Sequence, residues 1–99
     1  MSQPDTQILE RLYDLLLERR KADPDSSYVA SLYAKGRDRI LQKVGEEAVE
    51  TIIAGKGDDD RALVMESADL IFHLWVMLAE RGLEPEVLYA ELERRFGHS

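Results

Sequence analysis

Residues 63–79 read as a helix that is apolar on nearly every side, yet Glu66, Asp69 and His73 share one stripe of it, and Ser67 is the only other polar residue. A helix hydrophobic all round is normally buried, and a buried carboxylate without a partner is destabilising by several kcal/mol. Two carboxylates on one such face therefore call for a positive partner, and a hard cation supplies one. A second acidic helix, Glu46-Glu47-x-x-Glu50, lies just upstream. If the two helices are antiparallel neighbours, Glu47 and Glu50 face Glu66 and Asp69, and four carboxylates form an oxygen-rich cage. Oxygen-only ligation suits Mg²⁺, with Mn²⁺ as a substitute, better than copper or zinc. Magnesium is typically held by few carboxylates plus substrate phosphates, so phosphate chemistry is its natural use, with a water attacking in line.

The upstream helix taken alone has a plainer alternative, whereas the acids of the apolar helix interrupt an apolar face. On the upstream helix, at about 100° per residue, Lys43, Glu46, Glu47 and Glu50 share one face, while Leu41, Val44, Ala48 and Ile52 share the core-facing one. Taken alone, that is also how a solvated face looks, with Lys43 pairing Glu46 and Glu47 at i,i+3 and i,i+4. A di-iron carboxylate bundle would need Glu-x-x-His twice, and His73 is the only interior histidine. His73 fits a hydrogen-bonded core histidine as well as a group supporting the metal ligands from behind.

The elements that must position these groups are helical. Residues 5 or 6 to 21 carry Ile8, Leu9, Leu12, Leu15 and Leu16 at one-face spacing, with Arg19, Arg20 and Lys21 at the C-terminal end, where the macrodipole favours cations. Asp23-Pro24-Asp25-Ser26-Ser27 stops that helix, and residues 28–35 form a short helical turn ending at Gly36. The acidic helix spans 37–54 and breaks at Gly55-Lys56-Gly57. Asp58-Asp59-Asp60 reads as N-cap and first-turn charge for the apolar helix rather than as a metal site. Gly82 ends that helix, Pro85 opens the last one, and Leu88, Leu92 and Phe96 follow at i+4. His98, in the tail, is a poor candidate for chemistry. With no strand signal, the fold class is all-α: a four-to-five-helix chain forming a bundle, residues 1–99 being one domain, completed by dimerisation.

Composition narrows the partners. A 99-residue chain, 44% hydrophobic and 33% charged, suits one globular helical domain. Its net charge of −7 argues against nucleic acid or an anionic membrane, though local Lys and Arg still permit a phosphorylated small molecule. The absence of cysteine removes disulfides, thiolate catalysis and Cys-ligated metal sites. MSQPDTQILE lacks the basic-then-apolar pattern of a secretory signal. The run 63–79 has the length of a membrane span, but Glu66, Asp69 and His73 at its centre argue for a soluble, cytoplasmic protein.

The strings Ser27-Tyr28-Val29-Ala30-Ser31-Leu32-Tyr33-Ala34-Lys35-Gly36, Arg39-Ile40, Gln42-Lys43-Val44-Gly45-Glu46-Glu47-Ala48-Val49-Glu50-Thr51 and Glu66-Ser67-Ala68-Asp69-Leu70-Ile71-Phe72-His73 closely resemble the phosphoribosyl-ATP pyrophosphatase family. The resemblance spans about residues 26–92. The Glu-Glu-x-x-Glu and Glu-x-x-Asp pair is similar to the wider MazG-like clan of all-α nucleotide pyrophosphatases, while the Ser-Tyr loop and Lys-Val-Gly-Glu-Glu string point to the one family.

The resemblance implies Mg²⁺-dependent hydrolysis of phosphoribosyl-ATP to phosphoribosyl-AMP and pyrophosphate, the second step of histidine biosynthesis, by a homodimer. By motif, it implies Glu47, Glu50, Glu66 and Asp69 as metal ligands, Glu46 and Glu47 as catalytic carboxylates with Glu46 as ligand or base, and Lys43 as a phosphate contact. Ser27, Tyr28, Lys35, Arg37 and Arg39 become a phosphate and ribose clamp, Arg37 being the weakest member; capping, packing and surface charge account for the same residues. Relatives often have Thr where this chain has Val29. Some are fused to the cyclohydrolase of the next step, whereas this chain reads as standing alone. Two other functions stay open at this stage: a housecleaning (d)NTP pyrophosphatase, which the Ser-Tyr loop disfavours, and a non-catalytic helical dimerisation module.

Overall fold

A computed structural model describes residues 3–96, so His98 lies outside the described residues. Five helices follow in order: α1 (Ile8–Glu18), α2 (Tyr28–Lys35), α3 (Arg37–Lys56), α4 (Asp60–Glu80) and α5 (Pro85–Phe96), with a single 3₁₀ turn, Arg19–Lys21, after α1. Among the described residues there is no strand. The expected all-α chain is therefore found, and the short turn expected at 28–35 is a full two-turn helix.

Local chemistry sets the helix ends. The Ser27 hydroxyl accepts from the Ala30 N–H at 3.2 Å and starts α2. Asp59 does the same for Ala62 at the start of α4, as the acidic triplet suggests. At the end of α4 the Leu83 N–H reaches the Leu78 carbonyl and the Gly82 N–H the Ala79 carbonyl. Gly82, at φ 73°, thus closes a Schellman motif.

α3 and α4 form an antiparallel hairpin across residues 57–59. Gly55 lies against Leu63, the Thr51 hydroxyl reaches the Glu66 carbonyl, and Arg37 pairs with Glu80 at the far end. The core lies toward that far end, where Trp75, Val76 and Ala79 of α4 meet Tyr13 and Leu16 of α1, Val29 and Leu32 of α2, and Ile40 of α3. Polar links tie the layers together. The Trp75 indole donates to the Leu9 carbonyl, the Tyr33 hydroxyl to the Leu16 carbonyl, and the Arg20 guanidinium to the Ala79 carbonyl.

Two sequence expectations fail here for one reason. The run 63–79 is not enclosed: Val64 and Met65 are exposed, and of α4 only His73, Trp75, Val76 and Ala79 are buried. On α3, Leu41 and Ile52 are exposed rather than core-facing, as are Val49 and Ile53. α1 and α2 are short and cover only the His73-to-Glu80 end of the hairpin. Its other half is left with one neighbour, the opposite helix. By length and composition α4 passes for a membrane span, but its acids and histidine face α2 and α3 in the way described below.

Gly36 joins α2 to α3 at φ 98° and ψ 177°, a region open essentially to glycine alone. A Cβ there would meet nothing within 4 Å, so the constraint is purely one of backbone conformation. Gly36→Ala is expected to lower unfolding free energy by about 1–3 kcal/mol in urea titrations; an unchanged midpoint would show that the α2–α3 junction does not need this conformation.

Candidate metal centre

The α3–α4 hairpin brings carboxylates from both helices together. One oxygen from each of Glu47, Glu66 and Asp69 lies within 4.8 Å of the other two. Glu47 and Glu66 are half-buried and Asp69 is exposed, so the acid stripe opens at the surface instead of sitting in a closed core. Burial, and then the charges of Glu50, Asp69 and Glu47, push the Glu66 carboxyl above its usual range. Glu50 therefore acts on the triplet electrostatically while standing outside it. Glu50 and Glu46 stand on the open outer face of α3, with Gln42, Gly45, Val49 and Ile53.

Lys43 is the cation at the edge of the cluster. Its ammonium is 3.3 Å from Glu47 and 3.8 Å from Glu46, and its side chain is only 20% exposed. Partial burial works against that charge. The hydrogen bond to Glu47 and the nearby Tyr28, Glu46 and Glu47 outweigh it and hold the lysine pKa above its usual value. Lys43 is thus firmly protonated at neutral pH. Arg39 lies 3.8 Å from Glu46, one turn before Lys43. Three carboxylates with one edge lysine leave an excess of negative charge. The all-oxygen donor set fits a hard divalent cation.

α2 supplies the second wall. The Tyr28 hydroxyl is 2.7 Å from His73 Nε2, and His73 Nδ1 is 2.7 Å from the Asp69 carbonyl. Burial raises the Tyr28 pKa despite the opposing charges of Lys43 and Arg39, so the phenol remains protonated. Ser27 is occupied in capping α2. Lys35 is exposed in the last turn of α2. Arg37 turns the other way, its guanidinium meeting both oxygens of Glu80 at 2.9 and 3.3 Å. The structure thus gathers Glu46, Glu47, Glu50, Glu66, Asp69, Lys43, Arg39, Tyr28 and His73 in one region, and leaves Arg37 out.

Sequence reasoning assigned no role to Thr51. Its hydroxyl lies 2.7 Å from the Glu47 carbonyl and 3.1 Å from the Glu66 carbonyl, joining the backbones of two cluster residues across the hairpin. A polar residue one position after Glu50, turned toward the facing helix, was the available signal.

Helical fold and lysine-edged acid cluster together define a class: an all-α domain whose facing carboxylates could hold a metal ion. The chain belongs to the phosphoribosyl-ATP pyrophosphohydrolase family, whose profile matches residues 9–96. Among its relatives, the phosphoribosyl-ATP pyrophosphatase of Trichlorobacter lovleyi is 54% identical over 92 residues, covering 93% of this chain and 85% of that protein. The protein of the same name from Geobacter sulfurreducens is 53% identical with the same coverage. That of Paramagnetospirillum magneticum is 50% identical over 95 residues, 96% of this chain and 87% of the relative.

Protonation of Glu66 is linked to folding. The folded state binds this proton more tightly than the unfolded chain, so ionised Glu66 destabilises the cation-free fold above its raised pKa, and the penalty vanishes below the usual value of 4.5. With a chelator present, Glu66→Gln is expected to raise the urea midpoint at neutral pH. The gain should fade as pH falls through the raised pKa. A Glu66→Gln protein less stable than wild type at neutral pH would contradict the crowding of charge.

Proposed function

We propose that this chain hydrolyses phosphoribosyl-ATP to phosphoribosyl-AMP and pyrophosphate, the second step of histidine biosynthesis, as a Mg²⁺-dependent cytoplasmic enzyme. The observation that carries the reading is the convergence of Glu47, Glu66 and Asp69 beside Lys43, in a chain whose family is named for this chemistry.

In this reading Glu47, Glu66 and Asp69 hold Mg²⁺, with Mn²⁺ as a substitute, and Glu50, whose charge already reaches Glu66, completes the set when the ion is bound. The bound ion supplies charge neutralisation to the phosphate oxygens and a template for in-line displacement. Lys43 contacts the polyphosphate, and Arg39 adds a second cation one turn away. Water attacks a phosphorus of the triphosphate, a P–O bond forms as the phosphoanhydride P–O bond breaks, and Glu46 or Glu47 accepts the water's proton. From α2, Ser27 fixes the start of the helix that carries Tyr28, and Lys35 is an exposed cation in its last turn that can reach toward the substrate.

The exposed apolar residues Val49, Ile52, Ile53, Val64 and Met65 support pairing of two copies over the uncovered half of the hairpin, which gives a homodimer. Sedimentation velocity on wild type and Ile53→Asp reads this directly: a monomeric wild type at micromolar concentration would remove the dimer.

A housecleaning nucleotide pyrophosphatase would use the same carboxylates, so substrate choice separates the two. At equal Mg²⁺, kcat/KM for phosphoribosyl-ATP should exceed that for every dNTP, and a preference for a dNTP would overturn the assignment. Glu50→Gln and Asp69→Asn each remove a charge and little volume. Both are expected to lower kcat by about 100-fold or more, in line with losing one electrostatic contact to the transition state, with helicity by circular dichroism unchanged. Full activity in both would remove the metal role, and would favour a non-catalytic module if wild type is also inert.

A further inference from the structure

Tyr28 opens α2 against the centre of α4, and its hydroxyl is used inside the protein. The Asp69 carbonyl can only accept, so His73 Nδ1 carries the hydrogen that meets it at 2.7 Å. With the Nδ1–H tautomer, Nε2 is the acceptor and the Tyr28 hydroxyl donates to it, also at 2.7 Å. The chain of contacts runs from the phenol through a buried imidazole to the backbone of a cluster carboxylate.

The ring itself is held from two sides. Phe72 stacks against it at 6.4 Å between centroids and 26° between planes, and His73 meets it edge-on at 5.8 Å and 80°. Hydroxyl and inner face are both occupied, yet half of Tyr28 remains exposed. Lys43 and Arg39 stand close enough to act on its phenol. What remains free is a rigid aromatic surface beside the cations and carboxylates that suit a polyphosphate. A hydroxyl already donated inward is a poor ribose or phosphate contact, whereas a fixed flat ring suits a flat base.

We propose that the exposed ring of Tyr28 is the stacking platform for the purine of the nucleotide substrate, and that His73 is the positioning residue that sets its plane. The inference rests on the hydrolytic reading above for its choice of nucleotide. It assigns the base, rather than the ribose or phosphates, to Tyr28. It also ties base and metal subsites together, because the imidazole that fixes the ring is hydrogen-bonded to the backbone of Asp69.

The test uses the full chain with Mg²⁺. Tyr28→Leu alters a half-exposed position and should fold; it is expected to raise KM for phosphoribosyl-ATP about tenfold or more while kcat stays within about threefold. Tyr28→Phe keeps the ring and should raise KM by less than the leucine variant. His73→Leu should raise KM, and His73→Gln, which restores an acceptor for the phenol, should recover part of that loss. Calorimetric titration separates the subsites without turnover: Tyr28→Leu should weaken binding of AMP and leave that of Mg²⁺–pyrophosphate near wild type. Unchanged KM and AMP binding in Tyr28→Leu, or an equal loss for pyrophosphate, would overturn the platform. A wild type that binds AMP in a Tyr28-dependent way yet fails to cleave phosphoribosyl-ATP would instead overturn the hydrolytic reading and leave the platform standing.

Discussion

Three carboxylates crowded onto facing turns of α3 and α4 repel one another, and the rest of the molecule is arranged around holding them there. Like charges at this separation favour protonation or a cation, and the upward shift of Glu66 is the direct sign of that pressure. The hairpin resists it with backbone links. Thr51 joins the Glu47 and Glu66 carbonyls, and the core at the far end packs both helices against α1 and α2. Charges kept together in this way leave a set of oxygens that could hold a metal ion.

The second constraint is the path that brings α2 to this cluster. Ser27 caps the helix, Gly36 turns it into α3 through a conformation only glycine holds comfortably, and the Tyr28–His73–Asp69 contacts fix its first turn on α4. Cations, carboxylates and an exposed aromatic ring then meet in one region, though they come from three helices and from residues as distant as Tyr28 and His73. Those are the three surfaces a nucleotide offers: charge, metal-bound phosphate and a flat base.

Much of this was legible in the residues themselves. Helix spacing located α1, α3 and α4, the Asp59 cap and Gly82 stop fall where turn chemistry puts them, and the acids at 47, 66 and 69 were readable from i,i+3 spacing on two helices. Burial was not legible. An all-round apolar helix implies enclosure, but the sequence does not say whether the cover comes from the same chain, and here half of α4 and the outer side of α3 find none. The Tyr28–His73 hydrogen bond was also invisible, and Thr51 showed only as a polar residue after Glu50, because each contact depends on which face of one helix meets another. The outward turn of Arg37 toward Glu80 has the same cause. The resemblance to one family supplied the substrate, and the match over residues 9–96 bears out that membership.

The central claim is that the α3–α4 carboxylates hold a divalent cation, and binding of Mn²⁺ followed by electron paramagnetic resonance tests it without substrate or turnover. Wild-type protein should bind the ion, and Glu66→Gln and Asp69→Asn should each weaken that binding by at least about tenfold, the order seen when a group supporting a metal is lost. Wild-type affinity in both variants, or no binding by the wild type at millimolar Mn²⁺, would contradict it.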